Sequence, residues 1–324
     1  MPGRLDMNAY CLSHRKDVDG LGSGALAVAA TGGRIILSDY DDLVDNLRGI
    51  PDDADQVVIT DLGADSADFP AYLEEMKRLT KHAQVTHIDH HHMSEDKKRL
   101  AKRAGVRLVH DVSECASILT YMTFRKALPE RARLIALCGA VTDYMDGAPV
   151  ARKMMEQGDR QFVLLEATML AYALGVKESE EGFPEKVVGE LAKMKSPHEI
   201  EGVPEAAVVE LGRVARLGEF VKAQGTKKGR LAYMVTTQYS TGNVAKLLIG
   251  AFGVPVGVAM KEKQEGWYEV SLRSTSEARL HLGVTIGKIA ESLGGSGGGH
   301  RKAAGCRVPV SKADEMIEAL AKKV

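Results

Sequence analysis

In the first half of the chain, short apolar runs alternate with helical patterns. The runs at 8–13, 34–38, 56–60, 84–88 and 106–109 read as strands. Helical patterns cover 21–30, 71–81, 115–126 and 131–141, with a further helix or two across 152–174. Strands that alternate with helices imply a parallel sheet covered by helices, so the expected fold class is α/β. In an open parallel sheet the strand ends share one edge, and ligand sites form in the crevice there.

The stretch 175–204 is charged and broken by Pro184, Pro197 and Pro204. It predicts a domain boundary, with a first domain at 1–185, a linker with some helix at 186–204 and a second domain at 205–324. The second half alternates too. Helices are expected at 205–221, 243–250, 284–292 and 312–322, and strands at 230–236, 254–260, 267–273 and near 306–310. A glycine-rich loop precedes the last strand. This describes a smaller mixed α/β domain, with a cleft expected between the two.

Several function classes are excluded early. No apolar stretch approaches the roughly 20 residues that span a bilayer, and residues 1–6 lack a signal-peptide core. No membrane partner is expected. Cys11, Cys115, Cys138 and Cys306 are scattered. They read as buried small side chains and argue against disulfides or a Cys-ligated zinc. A cytoplasmic protein is expected. Residues 1–195 carry 25 basic and 31 acidic side chains, and 196–324 carry 18 and 13. The acidic front suits cations and the mildly basic back suits an anionic substrate. Neither balance matches a dedicated duplex-DNA binder, and aromatics at 5% disfavour a long base-stacking channel.

Acidic and imidazole residues recur where the apolar runs of the first half end. Ser13-His-Arg-Lys-Asp-Val-Asp-Gly20 follows the first run and precedes a small-residue helix. Asp61 lies just past the third run. His87-Ile-Asp-His-His-His92 closes the fourth, and Asp143 ends an apolar helical run. Carboxylate and imidazole together ligate Mn, Fe, Co or Zn. Singly, each residue has a plainer reading. Asp17 or Asp19 could cap a helix, Asp61 could serve a turn, Asp143 could cap or pair with an Arg, and His14 could be a semi-buried histidine. His87 and His92 read as a strand residue and a surface flank. The recurrence at successive strand ends is what the plainer readings explain poorly.

Through Asp89-His90-His91 and Gly297-Gly-Gly-His-Arg-Lys-Ala-Ala-Gly305 the chain resembles the DHH phosphoesterases that carry a DHH-associated C-terminal domain. Its size and plan are similar to the nano-RNase/pAp phosphatase and cyclic-dinucleotide phosphodiesterase branch, and RecJ-type exonucleases share the core. The resemblance implies two divalent metal ions, usually Mn2+, with Mg2+ or Co2+ as alternatives. One ion would be held by His14, Asp17 and Asp61, and the other by Asp19, Asp61, His90 and Asp143. Asp61 would bridge and His91 would face the substrate phosphate. Asp89 would orient a histidine. His14 and Asp17 are separated by two residues, where such proteins commonly have one or three.

In the second half, glycines at 294–299 let backbone N–H groups approach an anion, and His300 adds a donor. The plainer reading is a flexible linker. Gly297, Gly298, Gly299, His300 and Arg273 are the expected substrate contacts, with Arg273 able to clamp a phosphate. The basic run Lys97–Arg103 reads as a solvated helix face. The expected function is metal-dependent hydrolysis of short nucleotide substrates by in-line attack. These are oligoribonucleotides, pAp, or cyclic and linear dinucleotides. A RecJ-like single-strand exonuclease and a non-catalytic replication or repair scaffold are the alternatives. The expected partner is a small nucleotide or short single strand, and a homodimer is one expectation for assembly.

Overall fold

The computed structural model describes residues 8–64, 68–177, 180–299 and 301–324. They divide into two compact units, Met1–Leu211 and Gly212–Val324.

The first unit opens with β1 (Ala9–His14), α1 (Val18–Thr31), β2 (Arg34–Ser38), α2 (Leu43–Arg48) and β3 (Gln56–Thr60). It continues through α3 (Phe69–Leu79), β4 (Gln84–Asp89), α4 (Glu95–Arg103) and β5 (Arg107–His110). The sheet is parallel throughout, in the order β2-β1-β3-β4-β5. The chain leaves β1 to one side for β2 and returns to the other side for β3. The carboxyl ends of β1 and β3 therefore flank a topological switch point. The five expected strands appear within a residue or so at each end.

Helices α5 (Ala116–Phe124), α6 (Ala132–Thr142), α7 (Pro149–Met155), α8 (Arg160–Lys177) and α9 (Phe183–Ala192) follow. With α1 they form an apolar cluster that includes Leu21, Leu26, Ile118, Ile135, Leu170 and Val187. Leu12, Ile59, Tyr72 and Met76 belong to a second cluster, with side chains from β1, β3 and α3. Residues 186–204, expected as a linker with some helix, hold the rest of α9, a 3-10 turn at Pro197–Glu199 and the start of α10 (Val203–Gln224). Val187, Leu191, Ile200 and Val203 are buried in the first unit's core, which gives this stretch its order. The division between units falls inside α10.

The second unit contains β6 (Thr226–Lys228), β7 (Leu231–Val235), α11 (Thr241–Phe252), β8 (Val256–Gln264), β9 (Trp267–Ser274), α12 (Leu282–Ser292), β10 (Ser296–Gly299), β11 (Ala303–Pro309) and α13 (Ala313–Ala321). Its mixed sheet runs β10-β11-β9-β8-β7-β6. The expected glycine loop is instead a strand along 296–299. Glycine is depleted in strands, but here α12 and β11 both close in on β10. A Cβ on Gly283 would lie 2.0 Å from the Gly299 carbonyl oxygen, and one on Gly297 would lie 2.5 Å from the Cys306 Cβ. All four cysteines are free and buried. No helix among the described residues is long and apolar enough to cross a membrane.

Close approach also sets α1 on the sheet. A Cβ on Gly20 would lie 2.3 Å from the His14 carbonyl oxygen, and one on Gly24 would lie 2.8 Å from the Ser13 Cβ. Alanine favours a helix over glycine by about 1 kcal/mol, whereas overpacking costs about 1–3 kcal/mol. Gly24→Ala should therefore lower the denaturant midpoint; a raised midpoint would show that α1 does not need this contact.

Candidate metal centre

β1, β3 and β4 are adjacent, with Ser13 beside Thr60 and Thr60 beside Ile88. Their ends lie about 4.8 Å apart, one strand spacing. His14 ends β1, Asp61 follows β3 directly, and Asp89 ends β4 with His90 and His91 next in sequence. Ser13 knits this edge together, because its hydroxyl donates to the Gly20 carbonyl at 2.5 Å and lies 2.6 Å from the Thr60 hydroxyl.

Asp17 is the N-cap of α1, as one plainer reading held. Its Oδ1 accepts from the Gly20 N–H at 2.8 Å, and its Oδ2 lies 2.9 Å from His14 Nδ1. Asp19 is buried and accepts from the Ala116 and Ser117 N–H groups at 2.8 Å each, so it anchors the first turn of α5. Its Oδ2 remains 3.9 Å from His90 Nε2. Asp143 terminates α6, with Oδ2 3.7 Å from His90 Nδ1. Asp61 stands among them. Its Oδ1 is 3.3 Å from His90 Nε2, and its Oδ2 is 3.7 Å from His14 Nδ1. Its backbone lies in the left-handed region at φ 56°. Non-glycine residues rarely adopt that region, and Asp is among those that tolerate it best.

Three groups of potential ligands result: His14, Asp17 and Asp61; Asp19, His90 and Asp143; and Asp61, His90 and His91. Within each, one ligand atom per residue lies within 4.8 Å of the others. Asp61 and His90 each belong to two groups. The sequence expectation placed His14, Asp17, Asp19, Asp61, His90 and Asp143 around two ions, and the fold brings all six together.

The charge balance shows what the cluster lacks. Burial, reinforced by Asp61, pushes the Asp19 carboxyl up to about 7. Burial also pushes Asp143 up to about 6, against the opposing pull of His90. Burial lowers the basicity of His14 and His90, but neighbouring carboxylates overcome it and raise both to about 10. Carboxylates this close need positive charge between them, from protons or from cations. His14 Nε2 and Asp61 Oδ1 are buried and have no hydrogen-bond partner. Buried polar atoms are normally paired. Two unpaired polar atoms inside an imidazole–carboxylate cluster fit a divalent cation such as Mn2+, which would take the place of the proton.

His91 differs from the other imidazoles. Its Nδ1 lies 2.8 Å from Asp89 Oδ1 and its Nε2 lies 3.0 Å from the Tyr40 hydroxyl. Asp89 is fully buried. Burial opposes its ionisation, but His91 and the adjacent histidines hold its carboxyl well below the usual range. His110 fixes the segment by donating from Nε2 to the His91 carbonyl at 2.6 Å. His87 is buried away from the cluster, donating to the Leu62 carbonyl and accepting from Tyr72.

The sequence reading missed Asp39 and Tyr40. Asp39 is buried, with Oδ1 3.6 Å from His14 Nε2, and it pairs with Lys16. The available signal was position, since both residues follow β2 on the shared edge. In the second unit Arg273 is aligned with Ala303, and Ala304 is aligned with Gly299. Arg273 and Gly299 thus sit at the same end of that sheet, on strands either side of β11. Arg273 donates to its neighbouring Leu272 carbonyl and packs over Gly242. His300 lies outside the described residues.

Comparison with known proteins agrees with this architecture. Residues 228–324 match the DHHA1 domain family. No curated protein sequence matches the chain. Among solved structures it is similar to a DHH-domain protein described as a member of the s1p family of ribosomal proteins. The TM-score is 0.71 at 17% identity, over 98% of this chain and 86% of that one. It is also similar to the pGpG-specific phosphodiesterase PggH from Vibrio cholerae, with TM-score 0.62 and 17% identity over 97% and 98%. RecJ from Thermus thermophilus, solved with Mn2+, gives 0.63 and 17% over 97% of this chain and 51% of that one. The chain has the fold of DHH-family proteins. Its residues 228–324 form a DHHA1 domain, as the two motifs led us to expect.

Asp61→Asn keeps a side chain that tolerates the left-handed backbone and removes the shared charge. Saturating Mn2+ should raise the melting temperature of the wild type by about 5 °C or more. The variant should fold, by far-UV circular dichroism, and lose most of that rise. An unchanged rise in the variant would remove Asp61 from the centre.

Proposed function

We propose that the chain is a divalent-metal-dependent phosphoesterase that hydrolyses short nucleotide substrates. The observation that carries this reading is the pair of three-residue ligand groups, His14-Asp17-Asp61 and Asp19-His90-Asp143, linked through Asp61 and His90. The similarity to PggH, a pGpG-specific phosphodiesterase, and to RecJ in complex with Mn2+ supports it.

In this reading water attacks phosphorus in line with the departing oxygen, so one P–O bond forms as another breaks. Bound divalent cations supply charge neutralisation on the phosphoryl oxygens and lower the pKa of water. His14, Asp17 and Asp61 would hold one cation, and Asp19, Asp61, His90 and Asp143 the other. The chain's own contribution is placement. Asp19 is fixed by the α5 amides, Asp17 by the α1 cap, and Asp61 by its backbone. Asp89 holds the His91 ring in one orientation, and His91 would face the scissile phosphate. Arg273, Gly297, Gly298, Gly299 and His300 would anchor a second phosphate or the nucleotide end. β10 is an edge strand, which leaves amides unpaired within the sheet, and Gly298 has no neighbour where a Cβ would stand.

The test is product analysis in Mn2+ across pAp, a diribonucleotide, a cyclic dinucleotide and a long single strand. Consumption of the short substrates at rates well above the long strand is expected; preference for the long strand would favour a RecJ-like exonuclease. Asp61→Asn should lower kcat by about a thousand-fold, since cation-based charge stabilisation is worth several kcal/mol. Arg273→Ala should act mainly by raising KM. A drop confined to kcat would overturn its anchoring role.

A further inference from the structure

The turn after β2 carries chemistry that the reading above does not use. It runs Ser38-Asp-Tyr-Asp-Asp42 and is tightly built. Asp42 Oδ1 accepts from the Asp39 N–H at 2.6 Å and the Ser38 hydroxyl at 2.8 Å. Asp39 Oδ1 accepts from the Tyr40 N–H at 2.8 Å. Two ion pairs, Lys16 with Asp39 and Arg15 with Asp42, tie the turn to the loop between β1 and α1. The Arg15 N–H also donates to the Ser38 carbonyl at 3.0 Å. The backbone of Tyr40 is therefore fixed beside the metal centre.

The ring is placed as firmly as the backbone. Its centroid lies 5.1 Å from that of His14, and it meets His91 edge-on at 5.8 Å and 83°. The hydroxyl is 3.0 Å from His91 Nε2, while His91 Nδ1 lies 2.8 Å from Asp89 Oδ1. An ionised Asp89 can only accept, so Nδ1 carries a proton. Nε2 is then the one His91 nitrogen left for substrate, and the phenol covers it. A phosphodiester anion needs donors, and a phenol in this place offers one. Its one proton can face Nε2 in the free protein and turn to a phosphate oxygen when substrate enters.

We infer that Tyr40 is a further substrate-contacting residue of this site, whose phenol O–H donates to a non-bridging oxygen of the phosphate under attack. Before substrate enters, Asp89 and His91 fix where that hydroxyl lies. No proton is transferred in this role. The hydrogen bond strengthens as charge builds on the phosphoryl oxygens, so its effect falls on the transition state. The inference rests on the phosphoesterase reading and adds a second residue, beside His91, that meets the phosphate.

Tyr40→Phe retains the ring contacts and removes only the donor. On the Mn2+-loaded protein with a substrate that the wild type consumes, kcat/KM should fall by about a hundred-fold. Inorganic phosphate should bind the loaded variant more weakly in a calorimetric titration. The Mn2+-induced rise in melting temperature should stay at the wild-type value, because the phenol is not a ligand. Turnover within threefold of wild type would overturn the role of Tyr40 and leave the phosphoesterase reading standing. Loss of the Mn2+-induced rise would also overturn it, by showing that the phenol shapes the metal centre instead. An inactive wild type would remove the functional reading and this inference together.

Discussion

Asp61 holds a left-handed backbone at the end of β3, with its carboxylate out of solvent between two histidines and two further aspartates. A strained backbone and a buried charge each cost free energy, the strain of order 1–3 kcal/mol. Such a position persists only where its surroundings fix it. Here the Asp61 N–H donates to the Ile88 carbonyl at 3.1 Å, extending the β3–β4 pairing one residue past the strand. The turn at Asp61 then aims its side chain back across the sheet edge toward β1. The rest of the centre is arranged around that carboxylate.

The scaffold pays for this concentration of charge through rigid elements. Glycines at 20 and 24 let α1 settle on the backbone of β1, which brings Asp17 and Asp19 beside His14. Gly139 does the same for α6, where a Cβ would stand 2.5 Å from Asp19 Oδ1. The Asp19 carboxylate reaches 97 residues along the chain to the first amide of α5. Sites held by helices and strands keep their geometry better than sites on loops. Asp17, at the cap of α1, and Asp143, which closes α6, retain the most contact with solvent.

Much of this was legible in the sequence, for reasons that are physical. β3 carries the apolar run Val57-Val-Ile59, and β4 is buried over most of its length, because strands covered on both faces have no polar side to show. Asp61 and Asp89 stand out because they break such runs where the sheet edge must be. β10 was not legible. Its glycines read as a loop, and the atoms that a side chain at Gly297 or Gly299 would strike belong to β11, later in the chain. Tyr40 was hidden for another reason. Flanked by Asp39, Asp41 and Asp42, it reads as part of a solvated acidic turn, and only the parallel pairing of β1 with β2 carries it to His91. The contact of Asp19 with Ala116 and Ser117 could not be read from either segment alone.

Clustered carboxylates and imidazoles at this sheet edge are proposed to hold two cations in common. Anomalous diffraction from crystals grown with Mn2+ tests it most directly. Two peaks per chain are expected, one bounded by His14 and Asp17 and the other by Asp19, His90 and Asp143, with Asp61 between them. A single peak, or ions bound elsewhere while this cluster stays protonated, would contradict it.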